Sequence, residues 1–478
     1  MNTKLANGQL ATAGGLREVF ELFDAGRSSP ARLVSIFGST NDDGVTLHYL
    51  ADVPGEGYRE FQFRVNGPVP SLASITPAAA WHEREVHDRF QIDFQGHPAL
   101  LPLLHHDQAI DDAQFIQVQG KGVCEVPVGP VHAGIIEPGH FRFSVVGDTV
   151  LHLQLRLFYT HKGTEKLFEG LRVAEASPIA ESVSGDNCFA HAVAYCQAVE
   201  EIFQVAVPAR AQALRLVGLE MERLLAHIGD FGALCGDVAF AVPAAYCARI
   251  KEDLLQASAR WIGTRYWRGI AVPGGLRCDV SSVAVREFQE ALRAAAEDFF
   301  GIAEQSLDTP SVQDRFEGAG VLSPTAAADL AVVGPVARAS GIKLDVRRDH
   351  PYGAYKDLNP EVPTLHYGDV MARARIRVEE ARASVRLILD SLQALPEGSV
   401  LVPLSGAAGG HTLSAVESPR GELVYWLQLK EGAITRCHVR SPSFQNWPAL
   451  PLAIAGNIIA DFPLVNKSFN LSYSGCDR

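Results

Sequence analysis

Along the chain the spacing of apolar residues switches between the two periods that separate helix from strand. Residues 16–23 (LREVFELF) carry the helical period. Three short runs of strand character follow, 31–37, 45–50 and 58–65, the last alternating as YREFQFRV. This opening predicts a small α/β domain. Residues 77–90 end in a charged run, WHEREVHDRF, that leads into QIDFQGHPALLPLL. After a stretch rich in His, Asp and Gln, roughly 104–120, period two returns. Phe141, Phe143 and Val145 alternate, Gly147 and Asp148 supply a turn, and 150–158 alternate again. The rest is mainly helical. Phe189, Val193, Cys196 and Phe203, with Ala192 and Val199, form one apolar stripe, and His191 falls on the opposite side, displayed away from that core. Further helices are predicted over 210–236, 244–267, 283–305 and 369–395, with Pro273, Gly274 and Gly275 breaking the chain between 244–267 and 283–305. Two strands, 423–429 and 433–440, then lead to a helix ending near 460. The fold class is α+β: a small N-terminal α/β domain over 1–110, then a large antiparallel helix-bundle domain with flanking β-strands over 111–478.

Composition narrows the function classes. A length of 478 residues with 47% hydrophobic residues supports a sizeable core and two domains. A formal charge of −13 without a basic run excludes a nucleic-acid partner. No apolar stretch is long enough to span a bilayer, and the first residues lack the layout of a signal peptide. Eight scattered cysteines without a C-x-x-C pair fit free thiols in a reducing cytoplasm.

The stretch around which the chemistry gathers is 181–200, ESVSGDNCFAHAVAYCQAVE, together with the tail 470–478, NLSYSGCDR. Both resemble the metal-binding halves of the nickel-iron hydrogenase large subunit, where the patterns run R-V-C-G-I-C-G-F-A-H and D-P-C-x-x-C-x-D-R. This chain keeps Phe189, Ala190, His191, Asp477 and Arg478. It has Ser184 and Asn187 at the first two cysteine positions, and Ser472 and Gly475 at the last two. Hydroxyl and amide groups bind nickel weakly and glycine offers no side chain, so no nickel-iron centre is expected. Cys188 and Cys476 each lie one residue beyond a vacated position, which leaves a shifted two-thiolate site as a lesser alternative. One residue turns a helical side chain by about 100°, away from the old ligand direction. Asn187 also reads simply as a helix N-cap.

The resemblance covers most of the chain. Glu83, Glu85, Asp88, Phe90, Ile92, Phe94, Gly96, His97 and Pro98 match the E-R-E-x-x-D-x-F-G-I-x-F-x-G-H-P signature of a complex I peripheral-arm (30 kDa-like) subunit, with Gln91 in place of a glycine. Without the G-H-P turn behind it, that charged run would read as a solvated helix face. Residues 129–170, with H-K-G-T-E-K at 161–166, resemble the opening of the hydrogenase large subunit and of the complex I quinone-proximal subunit. The same holds for 345–352, DVRRDHPY. The fused order of domains most resembles the hydrogenase-4 and formate hydrogenlyase-type large subunit.

What the resemblance implies is a subunit of a membrane-bound respiratory oxidoreductase complex of the NADH-quinone or hydrogenase-4 kind. It would sit against a small iron-sulfur subunit that carries the cluster, alongside antiporter-like membrane subunits, peripheral on the inner face of the membrane, cytoplasmic and without a membrane span of its own. It would link electron transfer to proton or quinone chemistry and bind no cofactor directly other than, at most, quinone. Glu137 matches the proton-passing glutamate of hydrogenases, and Arg420 matches an arginine overhanging the metal. With His191 they form the candidate catalytic set, Arg420 being expected to pair with a carboxylate such as Glu137 or Asp477. His132 and His140 flank Glu137 and are the candidate quinone contacts, although the tyrosine that accompanies such a histidine is missing near Gly185. Glu220, Arg223 and His227 share one helix face and read as an internal ion pair. Arg347 and Arg348 read as facing a partner subunit. Two alternatives remain, a non-catalytic scaffold and an active hydrogenase, the latter disfavoured by the four missing thiolates.

Overall fold

A computed structural model describes residues 13–23, 31–41, 44–104, 115–132 and 136–478. The middle of the 104–120 linker, residues 105–114, and part of the loop between His132 and His140, residues 133–135, lie outside them.

The N-terminal region forms α1 (Ala13–Leu22), then an antiparallel sheet of β1 (Arg32–Asn41), β2 (Gly44–Val53) and β3 (Gly57–Arg64), then α2 (Ala79–Phe90). Strand β2 is buried on both faces over most of its length, although Thr46, His48 and Asp52 interrupt its apolar residues. On one face Leu47, Tyr49 and Ala51 pack with Ala79 and Val86 of α2. On the other, Leu50 joins Val34, Phe37 and Tyr58 against Val424 and Trp426, so the small sheet lies on the strands of the C-terminal region.

The charged face of α2 is not solvated. Glu83, Glu85 and Asp88 are all buried, and each is satisfied by a distant partner. Glu83 accepts from the Leu72 amide at 2.6 Å, and Asp88 accepts from the Leu103 and Leu104 amides at 2.6 and 2.7 Å. Glu85 accepts from Arg478 at 2.6 Å.

A second antiparallel sheet contains β4 (Val123–Val128), β5 (His140–Val146) and β6 (Thr149–Arg156). Strand β4 was not anticipated, because Pro127 and the exposed Cys124 and Glu125 break its alternation. The core helices are α3 (Cys188–Phe203), α4 (Ala209–Asp237), α5 (Ala241–Ile262), α6 (Ser282–Leu307) and α7 (Val370–Gln393). Only three residues join α4 to α5, so these two helices run back along one another. Helix α7 packs on α4 and on α6. The Pro-Gly-Gly break closes a small hairpin between Ala271–Val272 and Gly275–Leu276.

The last sheet is β7 (Gly410–Ser418), β8 (Gly421–Lys430) and β9 (Ala433–Arg440). Helix α3 packs on β7 and β8. The expected helix to 460 is instead broken into Pro442–Asn446 and Leu450–Ile454, with Pro448 and Pro451 at the break. Helix α8 (Phe462–Phe469) and the short α9 (Tyr473–Asp477) end the chain. Among the described residues no helix is long and apolar enough to cross a membrane.

Candidate functional site

The two stretches singled out in the sequence meet. Asn470 leaves α8 in the left-handed conformation that ends a helix (φ 49°), and Ser472 then caps α9 by accepting from the Gly475 amide at 2.8 Å. The Ser472 hydroxyl lies 2.8 Å from that of Ser184, which also donates to Asp186. A side-chain carbon added at Gly475 would stand 3.1 Å from both hydroxyl oxygens, so Ser184, Ser472 and Gly475 converge on one point. Lys162, from the H-K-G-T-E-K stretch, bridges the segments by donating to the Ser182 and Val183 carbonyls at 3.1 and 3.0 Å and to the Ser474 hydroxyl. Glu137 completes the junction, its carboxylate accepting from the Ser474 amide at 2.8 Å.

Beside this junction lies a cavity of about 610 Å³. Glu137, Asp186, Glu222, Asp230, Arg420 and Lys251 are among its charged walls. Arg420 sits in the turn between β7 and β8. That turn rests on Gly334, and a side-chain carbon on Gly421 would come within 2.6 Å of the Gly334 nitrogen, so the approach requires glycine at both. The guanidinium donates to Asp186 at 3.0 Å and to both oxygens of Asp230, one at 3.1 Å. Asp230 also accepts from Arg377 at 2.9 Å and from Asn470. Burial alone would raise the Asp230 carboxyl, but Arg420 and Arg377 outweigh it and hold it well below the carboxylate range. Asp230 is therefore a fixed anion. Glu222 is held differently: both its oxygens accept backbone N–H groups at the start of α3, from Phe189 at 2.7 Å and Ala190 at 3.0 Å. That bond pair does the capping expected of Asn187, whose side chain makes no cap and instead donates to Ser418 at 3.4 Å. Burial pushes the Glu222 carboxyl up to about 8 against those two amides.

The remaining sequence candidates go elsewhere. His191 is not displayed but wholly buried, with Nδ1 at 2.8 Å from the Tyr425 hydroxyl of β8. The second face of α3 is covered because Ala190, Ala194 and Ala198, neutral in the apolar pattern, let the last sheet come close. Burial pushes the His191 imidazole down to about 3, so it is neutral. His132 and His140 bond to their own loop, at the Gly139 carbonyl (2.8 Å) and the Gly129 carbonyl (3.3 Å). None of the three histidines lines the cavity. Arg420 pairs with Asp186 and Asp230 rather than Glu137 or Asp477; Asp477 is engaged by Thr160 at 2.8 Å. The Cys188 thiol is turned toward the Tyr266 carbonyl at 3.4 Å, and burial raises both it and Cys476, the reverse of what a metal-binding thiolate needs.

Asp186, Glu222 and Asp230 were not picked out from the sequence. For Asp230 the available signal was its spacing with Glu220, Arg223 and His227, a polar stripe along a largely apolar helix; Asp186 and Glu222 lie off that stripe.

Comparison with known proteins gives a consistent result. Residues 237–408 and 404–478 match the respiratory-chain NADH dehydrogenase 49 Kd subunit family, and residues 17–113 match the 30 Kd subunit family. The chain is 31% identical to formate hydrogenlyase subunit 5 of Escherichia coli (strain K12), covering 86% of this chain and 77% of that one. It is also 31% identical to hydrogenase-4 component G of the same organism, covering 86% and 76% respectively. Among solved structures, a chain from the membrane-bound sulfane sulfur reductase, an archaeal respiratory membrane complex, superposes with a TM-score of 0.71 at 24% identity over 75% of this chain and 99% of that one, which establishes the shared fold.

Proposed function

Because the chain belongs to the family of the respiratory-chain NADH dehydrogenase 49 Kd subunit, whose members include subunits of hydrogenase complexes, we propose that it is a subunit of a membrane-associated respiratory oxidoreductase complex. In this reading it sits against a small iron-sulfur subunit, with antiporter-like membrane subunits in the same assembly, and handles protons at the junction of 181–200 with 470–478. It acts as an oxidoreductase only within that complex.

The observation that carries the reading is the charged cavity at the junction. Glu137 reaches across it to the tail, while Arg420 is held over it by Asp186 and Asp230. The donors there do not fit nickel: Ser184 and Ser472 are hydroxyls bonded to one another, Gly475 has no side chain, and Asn187 faces Ser418. Asp230 is locked as an anion by two guanidiniums, whereas Glu137 is only half buried and lines the cavity with its carboxylate on the Ser474 amide, which makes it the carboxylate of the junction open to the cavity. His132 and His140 spend hydrogen bonds on their own loop, which favours proton handling over direct quinone contact by either.

Replacing Glu137 with Gln in the assembled complex is expected to lower turnover by about 100-fold, the scale of a lost proton-transfer group, without dissociating the subunits. Normal turnover in that variant would favour the scaffold alternative.

A further inference from the structure

One turn back along α4 from the cavity lies a second set of charged groups, sealed from solvent. Glu220 and Arg223 come from α4, Arg338 from Gly334–Ala339, Asp345 and Arg347 from the turn at Val346–Asp349, Glu380 from α7 and Glu417 from β7. Every one of these side chains is at most 1% exposed. Arg338 joins three of the carboxylates, with Glu380 at 2.6 Å, Glu417 at 2.9 Å and Asp345 at 3.4 Å. Arg347 joins Asp345 at 2.6 Å to Glu220 at 3.0 Å, and Arg223 lies 3.2 Å from Glu220 and 4.0 Å from Glu380.

The charges do not balance: four carboxylates face three guanidiniums. The neighbouring group does not correct this, although Arg377 also feels Glu380, because Asp186, Asp230 and Asp369 are already matched in number by Arg377, Arg420 and Arg373. The other polar groups in contact are neutral: Tyr355 and Ser384 donate to Glu220, and the Glu417 amide donates to the Tyr352 hydroxyl. An unpaired charge in so dry a place is costly, and a proton is the cheapest way to remove it. Two seats are available. Burial and the adjacent Asp345 push the Glu417 carboxyl up to about 7, although Arg338, Arg223 and Arg347 pull the other way. His227 bonds Glu380 through Nε2 at 2.9 Å, while its Nδ1 is buried and has no partner among the described residues. Burial lowers the His227 imidazole, against the pull of Glu380 and Asp230, and Arg223 adds to the lowering.

We propose that this cluster is a one-proton store behind the cavity, with Glu417 and the free Nδ1 of His227 as its seats. When His227 is neutral its Nε2–H donates to Glu380 and Nδ1 holds a lone pair. Loading places a proton on that lone pair or on a Glu417 oxygen, and no other bond changes. The cluster then goes from one net negative charge to none. His227 lies about one helical turn before Asp230, which lines the cavity, so it is the seat that adjoins the junction along α4. Its use during turnover rests on the proton-handling function proposed above, but its existence does not.

The test is infrared difference spectroscopy of the assembled complex, titrated from acid to alkaline buffer through neutrality. The wild-type chain is expected to lose one protonated-carboxyl or imidazolium signal that the Glu417→Gln variant lacks, because the cluster in the variant is neutral without a proton. Glu380→Gln removes a different carboxylate from the same cluster and must abolish the same signal, so it decides the matter if Glu417→Gln fails to assemble. Because the buried Glu222 carboxyl, pushed up to about 8, gives a signal common to all variants, a wild-type spectrum with no further signal, or a further signal that persists in both carboxamide variants, would overturn the proposal. In Glu137→Gln the signal should remain whether or not turnover falls, which separates failure of the store from failure of the functional reading.

Discussion

At Ser184 and Ser472 a side chain of nearly the size of cysteine carries a neutral hydroxyl in place of a soft anion. The two hydroxyls satisfy each other at 2.8 Å, and Ser184 also donates to Asp186. Among the described residues, none at the convergence point offers the thiolate pairs that hold a redox nickel. Elemental analysis of the purified complex is therefore expected to find no stoichiometric nickel assigned to this chain; about one nickel per chain would contradict the argument. Arg420 shows the complementary effect. The resemblance to a metal-overhanging arginine gave its position, but its partners are Asp186 and Asp230, the carboxylates that the fold brings within reach of the buried guanidinium. That residue-level pairing shapes the cavity roof.

At the scale of elements, α3 and α4 are held closely enough that their separation is set by single atoms. Gly218 of α4 faces the Phe189 ring of α3 and the Trp267 indole, and an added side-chain carbon would lie 2.7 Å from Trp267. Both rings are buried and packed edge to face at 5.3 Å, so neither has room to yield. Gly218→Ala would improve intrinsic helix propensity by about 1 kcal/mol, yet the overpacking costs about 1–3 kcal/mol, so the steric term is expected to win. A thermal melt should show a lower transition temperature than the unsubstituted chain. Because Phe189 follows directly on the N-terminus of α3, which Glu222 caps at the cavity wall, the displacement should also be felt at the site.

For the whole molecule, the last residue is a structural keystone between the two regions. Arg478 is 1% exposed and donates to Glu85 of α2 at 2.6 Å, to the Val439 carbonyl of β9 at 2.6 Å and to Glu165 at 3.4 Å. Arg478→Ala would take one guanidinium from Glu85, which keeps Arg89, and one from Glu165, which keeps Arg436, at a cost of about 1–3 kcal/mol. Hydrogen exchange in β1–β3 is expected to accelerate; unchanged protection there would show that the sheet-on-sheet contact alone holds the N-terminal region. The same pair predicts acid sensitivity. Burial would raise the Glu85 carboxyl, but Arg478 and Arg89 lower it to about 2. Its folded value is thus below its unfolded value of about 4.3, so the stabilisation is complete above that value and is lost as pH falls from about 4.3 to about 2. Acid unfolding of Arg478→Ala should be correspondingly less dependent on pH in that window.

The sequence by itself determined the elements whose signal is local. Helices α4 to α7 and strands β1 to β3, β5, β6, β8 and β9 lie close to where the apolar periods place them, since a period of 3.6 or 2 is written in neighbouring residues. Motif likeness marked 181–200, Glu137, Arg420 and the tail, which do converge. Only the tertiary structure decided which polar residues are inside. Arg347, read as facing a partner, is buried between Asp345 and Glu220. His227, expected to pair along its own helix with Glu220 and Arg223, bonds Glu380 of α7 instead. His191 is enclosed by β8, and β4 and β7 exist through the strands they join. A charge is stable in a core only when another element brings it a partner, and a strand only when a neighbour completes its hydrogen bonds. Those partners are remote in sequence, so folding decides them.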